Sequence, residues 1–254
     1  MTTQFHYIES YGVKCACLGP LSSSKVILFV GRSNTQKNST PLQELLNQLI
    51  LKDYLLLWPE SISRNQSIKN LLNERSKAVV DWLNIFFGLK ESLIKRCCQR
   101  IIKGVILISR PSKWDYFFKR HRPEITIHEA RMRHIIKTHG ENKSVIIFSH
   151  SAGGITASDL ADEPNLKKII CFGYPFKHPN CEDESFRTKN LKSIQKPFLI
   201  IQGNRDEYGG SGIENRYELS PLIEFEFVEA THEYENLSIH DWLKVAQRIE
   251  SFLA

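Results

Sequence analysis

The run VIIFSHSAGG at residues 145–154 is the feature that most constrains the fold of this chain. Its first four residues are apolar and mostly β-branched, which favours a buried strand, and the helix-compatible segment 155–161 follows within a few residues. The small residues in between allow the strand and the helix to approach each other closely. This order predicts a sharp strand–turn–helix connection that exposes the hydroxyl of Ser151 at one edge of a sheet.

A serine hydroxyl is a poor nucleophile at neutral pH, so a catalytic serine needs further groups. A histidine must accept its proton, and backbone N–H groups must bind the oxyanion that forms on the substrate. Turns of this kind usually carry glycine two residues before the serine, where this chain has Ser149, which is small enough for the position. The alternative is a strand end that merely turns into a helix and has no catalytic role.

Two downstream segments supply candidates for the acid and the base. Residues 197–206, PFLIIQGNRD, predict a buried strand followed by a turn that ends at Asp206. Residues 224–229, EFEFVE, alternate in polarity as a half-exposed edge strand does, and His232 follows shortly after. The chain therefore places a nucleophile, an acid and a base, in this order, just past the ends of three strands, which predicts a Ser-His-Asp catalytic triad.

Two residues compete for the roles of acid and base. Glu207 is adjacent to Asp206 and is its rival as the acid, whereas His240 is the alternative base. His240 lies at the predicted start of the last helix, where a solvated position is expected. His150 is adjacent to the nucleophile but is predicted to point to the wrong side of the turn to relay a proton.

The loop after the predicted buried strand 25–31 is the expected source of an oxyanion donor. One donor is the backbone N–H of Ala152, which directly follows the nucleophile. The other is the backbone N–H of Arg32, with Gly31 giving the loop its conformational freedom. The alternative interpretation is that Gly31 simply ends a strand.

Length and composition predict one domain over residues 1–254. The chain is 41% hydrophobic, which suffices for a large core, and contains no low-complexity tract or repeat that would divide it. The sequence shows neither a signal peptide nor an apolar stretch long enough to span a bilayer, and its six cysteines are interpreted as reduced thiols. We therefore expect a cytoplasmic protein that uses no metal and no cofactor.

Strand-like and helix-like segments alternate along the chain, which favours a mostly parallel sheet with helices on both faces. Further strands are predicted over 13–18, 53–60 and 168–172. Helices are predicted from Thr40 onwards, over 68–87, from Thr126 to Gly140, and after a capping residue at Ser238. The last helix is expected to pack through Leu243, Ala246, Ile249 and Phe252.

The segment 88–125 differs in charge from the rest of the chain. Between residues 88 and 123 it carries ten basic and two acidic side chains, a surplus of +8 against +6 for the whole chain, and aromatic residues are interleaved at 114–118. One interpretation is a small basic helical insertion that forms a lid and attracts an anionic substrate. The other is a helical hairpin whose charges simply keep it solvated. No nucleic-acid partner is expected.

Beyond the serine turn, three further stretches resemble a known family: FGYPF at 172–176, FRTKNL at 186–191 and PFLIIQGNRDEYG at 197–209. They are similar to the dienelactone-hydrolase-like branch of the α/β-hydrolase superfamily, and in particular to testis-expressed hydrolase-like proteins and to the hydrolase-fold subunit of a chromatin acetyltransferase complex. The resemblance is best over 143–235, weaker over 25–60 and absent over 88–125. Asn190 stands where the family often has histidine.

The resemblance implies an α/β-hydrolase fold with Ser151 as nucleophile, Asp206 as acid and His232 as base. Together with the triad pattern it predicts a serine hydrolase that cleaves an ester, thioester or lactone-like acyl bond of a small molecule through an acyl-enzyme. Some relatives work as binding scaffolds, so the alternative is a hydrolase-fold binding protein that uses the basic insertion to dock an anionic partner.

Overall fold

The computed structural model describes residues 6–10, 13–31, 40–59, 79, 101–102, 104–105, 124–234 and 237–254. The chain divides into two units, Met1–Ser61 with Glu129–Ala254 and Ile62–His128. Almost all of the predicted insertion 88–125 and of the helix predicted over 68–87 lies outside the described residues. The single-domain organisation with a lid therefore stays a prediction, and the account below concerns the first unit.

Eight strands of this unit form one sheet in the order β1-β2-β4-β3-β5-β6-β7-β8. The first three neighbours, β1, β2 and β4, pair antiparallel, and all later pairings are parallel. The strands are β1 (His6–Ser10), β2 (Val13–Leu18), β3 (Lys25–Gly31), β4 (Tyr54–Pro59), β5 (Ser144–His150), β6 (Leu166–Phe172), β7 (Phe198–Gly203) and β8 (Ile223–Val228). The predicted mostly parallel sheet is confirmed, with β1 as an additional edge strand.

Five α-helices accompany these strands in the described part of the chain. They are α1 (Thr40–Leu51), α2 (Glu124–His139), α3 (Ala152–Asp159), the single turn α4 (Ser185–Thr188) and α5 (Ile239–Leu253). Two short 3-10 turns lie at Leu191–Ser193 and Ile213–Asn215. Within the described residues, no helix combines the length and the apolarity needed to cross a bilayer.

The core lies on both faces of the sheet because successive side chains of a buried strand point in opposite directions. On β5, Val145 and Ile147 pack in one layer with α2 and α3, and Ile146 and Phe148 pack in the other with α1 and α5. Since both faces are covered, β3, β5 and β7 each contain an unbroken apolar run, 26–30, 145–148 and 198–201, instead of alternating. The expected helices on both faces are confirmed.

Two predicted helices need correction. Helix α2 begins at Glu124, two residues before the predicted start at Thr126, and it ends at His139, so that it stops at Gly140 as predicted. In α5 the buried side chains are Trp242, Val245, Ile249 and Phe252, whereas the predicted Leu243 is exposed. The four buried positions share one face at helical spacing, and Leu243 lies about 100° away from Trp242 on that helix.

The start of α5 and the edge position of β8 agree with the sequence patterns. The Ser238 side chain accepts a hydrogen bond from the backbone N–H of Asp241 at 3.1 Å, so Ser238 caps the helix as predicted. Strand β8 is the last of the sheet, and most of its side chains are half-buried. This explains its alternating sequence, since an edge strand is covered less completely than the central strands.

Candidate active site

Ser151 occupies a strained turn between β5 and α3. Its backbone has φ 53° and ψ −128°, a combination that costs a non-glycine residue about 1–3 kcal/mol. Two hydrogen bonds hold this turn: the Ser151 N–H donates to the carbonyl oxygen of Phe172 at 3.0 Å, and the Ser151 carbonyl oxygen accepts from the N–H of Gly154 at 2.8 Å. The predicted strand–turn–helix connection is present, and its strain is typical of functional positions.

The turn is further held by direct backbone contact between β3 and α3. A Cβ atom added at Gly153 would overlap the carbonyl oxygen of Val30, and one added at Gly31 would overlap the carbonyl oxygen of His150 and lie 3.1 Å from Gly153 Cα. Gly31 also has φ 96°, in the region that favours glycine. Both positions therefore require glycine, and the loop after β3 begins directly beside Ser151.

The structure brings Ser151, His232 and Asp206 together in one hydrogen-bonded chain. His232 Nε2 lies 2.8 Å from Ser151 Oγ, and His232 Nδ1 lies 2.9 Å from Asp206 Oδ2. The histidine and aspartate side chains are buried, with 4% and 0% of their surface exposed, and Ser151 is half-buried. With the proton on Nδ1 donated to Asp206, Nε2 is free to accept the proton of the serine hydroxyl.

The three residues reach each other because parallel strands end at the same edge of the sheet. Ser151 follows β5, Asp206 follows β7 and His232 follows β8. By contrast, the rival acid Glu207 is exposed, and the rival base His240 is exposed in the first turn of α5. Asp206 further accepts the backbone N–H of Tyr208 on Oδ1 at 2.8 Å, so the acid loop itself orients the carboxylate.

His150 packs against His232, a contact that its position next to Ser151 in the sequence did not reveal. Its buried ring donates from Nε2 to the carbonyl oxygen of His232 at 3.3 Å, and the two ring centroids are 5.4 Å apart. The contact is thus made to the backbone of His232. It links the end of β5 to the loop that carries His232.

Only one of the two predicted oxyanion donors lies in the described part of the chain. Ala152 is the first residue of α3, and the first N–H groups of a helix have no intrahelical acceptor, so this N–H is available to a ligand. Arg32 lies outside the described residues. Its neighbour Gly31 pairs in register with His150, at the level of the serine turn.

Three residues next to Asp206 and His232 were not identified from the sequence: Gly173, Gln202 and Tyr208. Gly173 has φ 57°, and an added Cβ would lie 3.1 Å from His232 Nδ1 and 3.3 Å from Asp206 Oδ2. The Tyr208 ring packs 4.5 Å from that of His232. Gln202 was detectable, because it is a polar residue directly after the apolar run 198–201 of strand β7.

Cys171 is buried on β6, next to α3, and its thiol is not nucleophilic at neutral pH. Burial raises the pKa of its thiol to about 12, so the thiol stays protonated at neutral pH, and only a thiolate is reactive. Among the other described cysteines, Cys15 and Cys17 are buried and Cys181 is exposed. Within the described ranges, no cluster of three or more His, Cys, Asp or Glu side chains is arranged to hold a metal ion.

Solved structures with the same fold include several hydrolases, all at low sequence identity. A dienelactone hydrolase from Anabaena variabilis is 14% identical, with 99% of this chain and 97% of that chain covered and a TM-score of 0.54. An esterase from Pyrococcus furiosus is 13% identical, with 99% and 92% covered and a TM-score of 0.55. A CIB-like hydrolase from Thermoplasma acidophilum is 12% identical, with 99% of both chains covered and a TM-score of 0.56.

These structural similarities show that the chain has the α/β-hydrolase fold. A match to a family model further shows which family the chain belongs to. No curated protein matches the chain. The family described as "Alpha/beta hydrolase domain" matches residues 118–250, which is more than half of the sequence and includes all three residues of the hydrogen-bonded chain. The chain therefore belongs to this family of alpha/beta hydrolase domains.

Proposed function

We propose that the protein is a serine hydrolase in which Ser151 is the nucleophile, His232 the general base and Asp206 the acid that orients His232. The observation that carries this proposal is the chain of two hydrogen bonds, 2.8 and 2.9 Å long, that links a strained serine to a buried histidine and a buried carboxylate. An arrangement of this kind activates a serine that would otherwise be unreactive at neutral pH.

In the proposed reaction, Ser151 Oγ attacks the acyl carbon while His232 Nε2 takes the hydroxyl proton. The negative charge that develops on the acyl oxygen is bound by the N–H groups of Ala152 and Arg32, and one such donor is worth on the order of 10²–10³ in rate. The C–O or C–S bond to the leaving group then breaks, and His232 returns its proton to that group. Water, deprotonated by His232, attacks the acyl-enzyme and releases the acid and the free serine.

The proposed substrates are esters, thioesters and lactone-like acyl compounds of small molecules. This choice is supported by the likeness of residues 143–235 to the dienelactone-hydrolase-like branch, including the testis-expressed and chromatin-complex relatives, and by the esterase and dienelactone hydrolase among the structures of the same fold. The basic segment 88–125 favours an anionic substrate. A cytoplasmic location stays part of the proposal.

The test is labelling of the purified protein by a fluorophosphonate probe. We expect the wild type and the control Ser193→Ala, which removes an exposed serine hydroxyl, to be labelled, and Ser151→Ala not to be. If the folded wild type is not labelled, the hydrolase proposal is wrong. The binding alternative would then be tested by reversing the charges of Lys95, Arg96 and Arg100 and measuring the retention of anionic partners.

A further inference from the structure

Gln202 is a polar side chain in a position where the surrounding residues are apolar. It is the penultimate residue of β7, the strand next to the edge strand β8, and the preceding residues Ile200 and Ile201 belong to opposite layers of the core. Gln202 is fully buried, with 0% of its surface exposed. A buried amide without partners is strongly unfavourable, so a glutamine at this point of a strand must have hydrogen-bond partners.

The Gln202 amide makes four contacts, and these fix its orientation. Oε1 accepts the backbone N–H of Tyr174 at 2.9 Å. Nε2 donates to Asp206 Oδ2 at 2.8 Å and to the carbonyl oxygen of Gly209 at 2.6 Å, and it lies 3.5 Å from the carbonyl oxygen of Tyr174. A flipped amide would place Oε1 against the Asp206 carboxylate and the Gly209 carbonyl, which are both acceptors, and is therefore excluded.

These contacts join three segments behind the triad. Tyr174 belongs to the loop that leaves β6, and Asp206 and Gly209 belong to the loop that leaves β7. Gln202 holds both loops from within the sheet, so the position of the Asp206 backbone and that of its carboxylate are linked through one side chain.

Asp206 is thereby held by three donors from different directions. Oδ2 accepts both Gln202 Nε2 and His232 Nδ1, whereas Oδ1 accepts the Tyr208 N–H. Donors that bind both oxygens of a carboxylate prevent its rotation. Gln202 Nε2 and His232 Nδ1 both donate to Asp206 Oδ2. The Gln202 amide therefore holds this oxygen in the position where it accepts the hydrogen bond from His232.

We propose that Gln202 is a positioning residue of the active site: it holds the Asp206 carboxylate turned so that His232 presents Nε2 to Ser151. This inference rests on the proposed serine-hydrolase function. Gln202 is fully buried, so its proposed effect on the reaction is transmitted through Asp206 and not by contact with a substrate.

The experiment compares fluorophosphonate labelling of the wild type, Gln202→Met, Gln202→Glu and Ser220→Ala between pH 5 and 10. Methionine matches glutamine in length but cannot donate a hydrogen bond, so we expect the maximal labelling rate to fall about tenfold to a hundredfold at unchanged probe affinity, the range known for outer-shell partners of metal ligands. Glutamate adds a carboxyl beside Asp206, so the rate relative to wild type should fall further as that carboxyl ionises.

Ser220→Ala is the matched control for the loss of a buried hydrogen bond. Ser220 is buried and donates to the carbonyl oxygen of Ile194 at 2.7 Å. It lies just before the start of β8, whereas His232 follows the end of that strand, so the two residues are at opposite ends of the parallel strands. This variant should lower the melting temperature and keep the wild-type labelling rate. An equal loss of rate in Gln202→Met and Ser220→Ala would overturn the inference, as would wild-type labelling by either Gln202 variant; if Gln202→Met does not fold, Gln202→Glu decides.

A readout without activity separates this inference from the proposed function. In a crystal structure of Gln202→Met, we expect the Asp206 carboxylate to turn and its Oδ2 to lie beyond hydrogen-bond distance of His232 Nδ1. If the wild type is not labelled, the proposed function is wrong. The distance between Asp206 Oδ2 and His232 Nδ1 in the variant then tests by itself whether Gln202 positions the acid. A separation that stays at 2.9 Å would show that the amide is not needed to position the acid.

Discussion

The two halves of the candidate site are held in place by different means. On the nucleophile side, the backbones of β3, β5 and α3 touch directly, and Gly31 and Gly153 leave no room for a side chain. On the acid–base side, Asp206 and His232 lie on loops and are held by hydrogen bonds from Gln202, Tyr208 and His150. We therefore expect damage to the first half to affect stability and activity together, and damage to the second to affect mainly activity.

The largest effect is expected from Asp206→Asn. The substitution keeps the size of the side chain but removes the charge that stabilises the His232 imidazolium and selects its tautomer, so the labelling rate should fall on the order of 10⁴-fold. Glu207→Gln is the control, because it removes a neighbouring carboxylate that is exposed, and it should keep the wild-type rate. The reverse result would transfer the acid role to Glu207.

The next largest effect is expected from Gly153→Ala, which breaks the nucleophile side. The added methyl group meets backbone atoms of Val30 and Gly31, so the strand and the helix must separate at a cost of about 3 kcal/mol in the free energy of unfolding, and the labelling rate should fall as well. Gly212→Ala is the control: Gly212 has φ 82° but open space around its Cα, so only backbone strain is added. Chemical denaturation measures both; equal losses of stability would disprove the close-contact argument.

Gly173→Ala sharpens the comparison on the acid–base side. The left-handed backbone should cost about 1–2 kcal/mol in the free energy of unfolding, and the new methyl group would press on the His232 ring. The His232 side chain can move aside more easily than a backbone segment can. We therefore expect the loss in labelling rate, converted to a free energy, to be larger than the loss in the free energy of unfolding. Denaturation and labelling of the same preparation check this; a stability loss that equals or exceeds the activity loss would contradict it.

The smallest effect is expected when the protein is treated with a thiol reagent, because Cys171 is buried on β6 next to α3. Because burial raises its pKa to about 12, this thiol is protonated and unreactive at pH 8, and thiolate forms only as the pH rises toward that value. Iodoacetamide at pH 8 should therefore modify the exposed Cys181 and leave Cys171 unmodified in the folded protein, as peptide mass spectrometry would show. Rapid modification of native Cys171 would mean that the layer behind α3 opens.

Local patterns in the sequence predicted most of the strands and the turn at Ser151. Unbroken apolar runs mark β3, β5 and β7 because both sides of these strands are buried, and small residues mark the close approach after β5. Helix α5 was predicted with its correct cap at Ser238 but with Leu243 on the wrong face, because several apolar residues of that helix allow more than one buried stripe. The sequence by itself thus determined the α/β architecture, the order of the candidate residues and their positions past the ends of strands.

Only the tertiary structure decided which groups meet. Asp206 and not Glu207 faces His232, and this depends on the direction of a single loop residue. His150 binds the backbone of His232, which is 82 residues away in the sequence. Gln202 and His232 both donate to the same oxygen of Asp206. Local propensity carries no information about such contacts, because hydrogen bonds between loops depend on the register of the parallel strands that carry them. That register is set by the packing of both layers of the core as a whole.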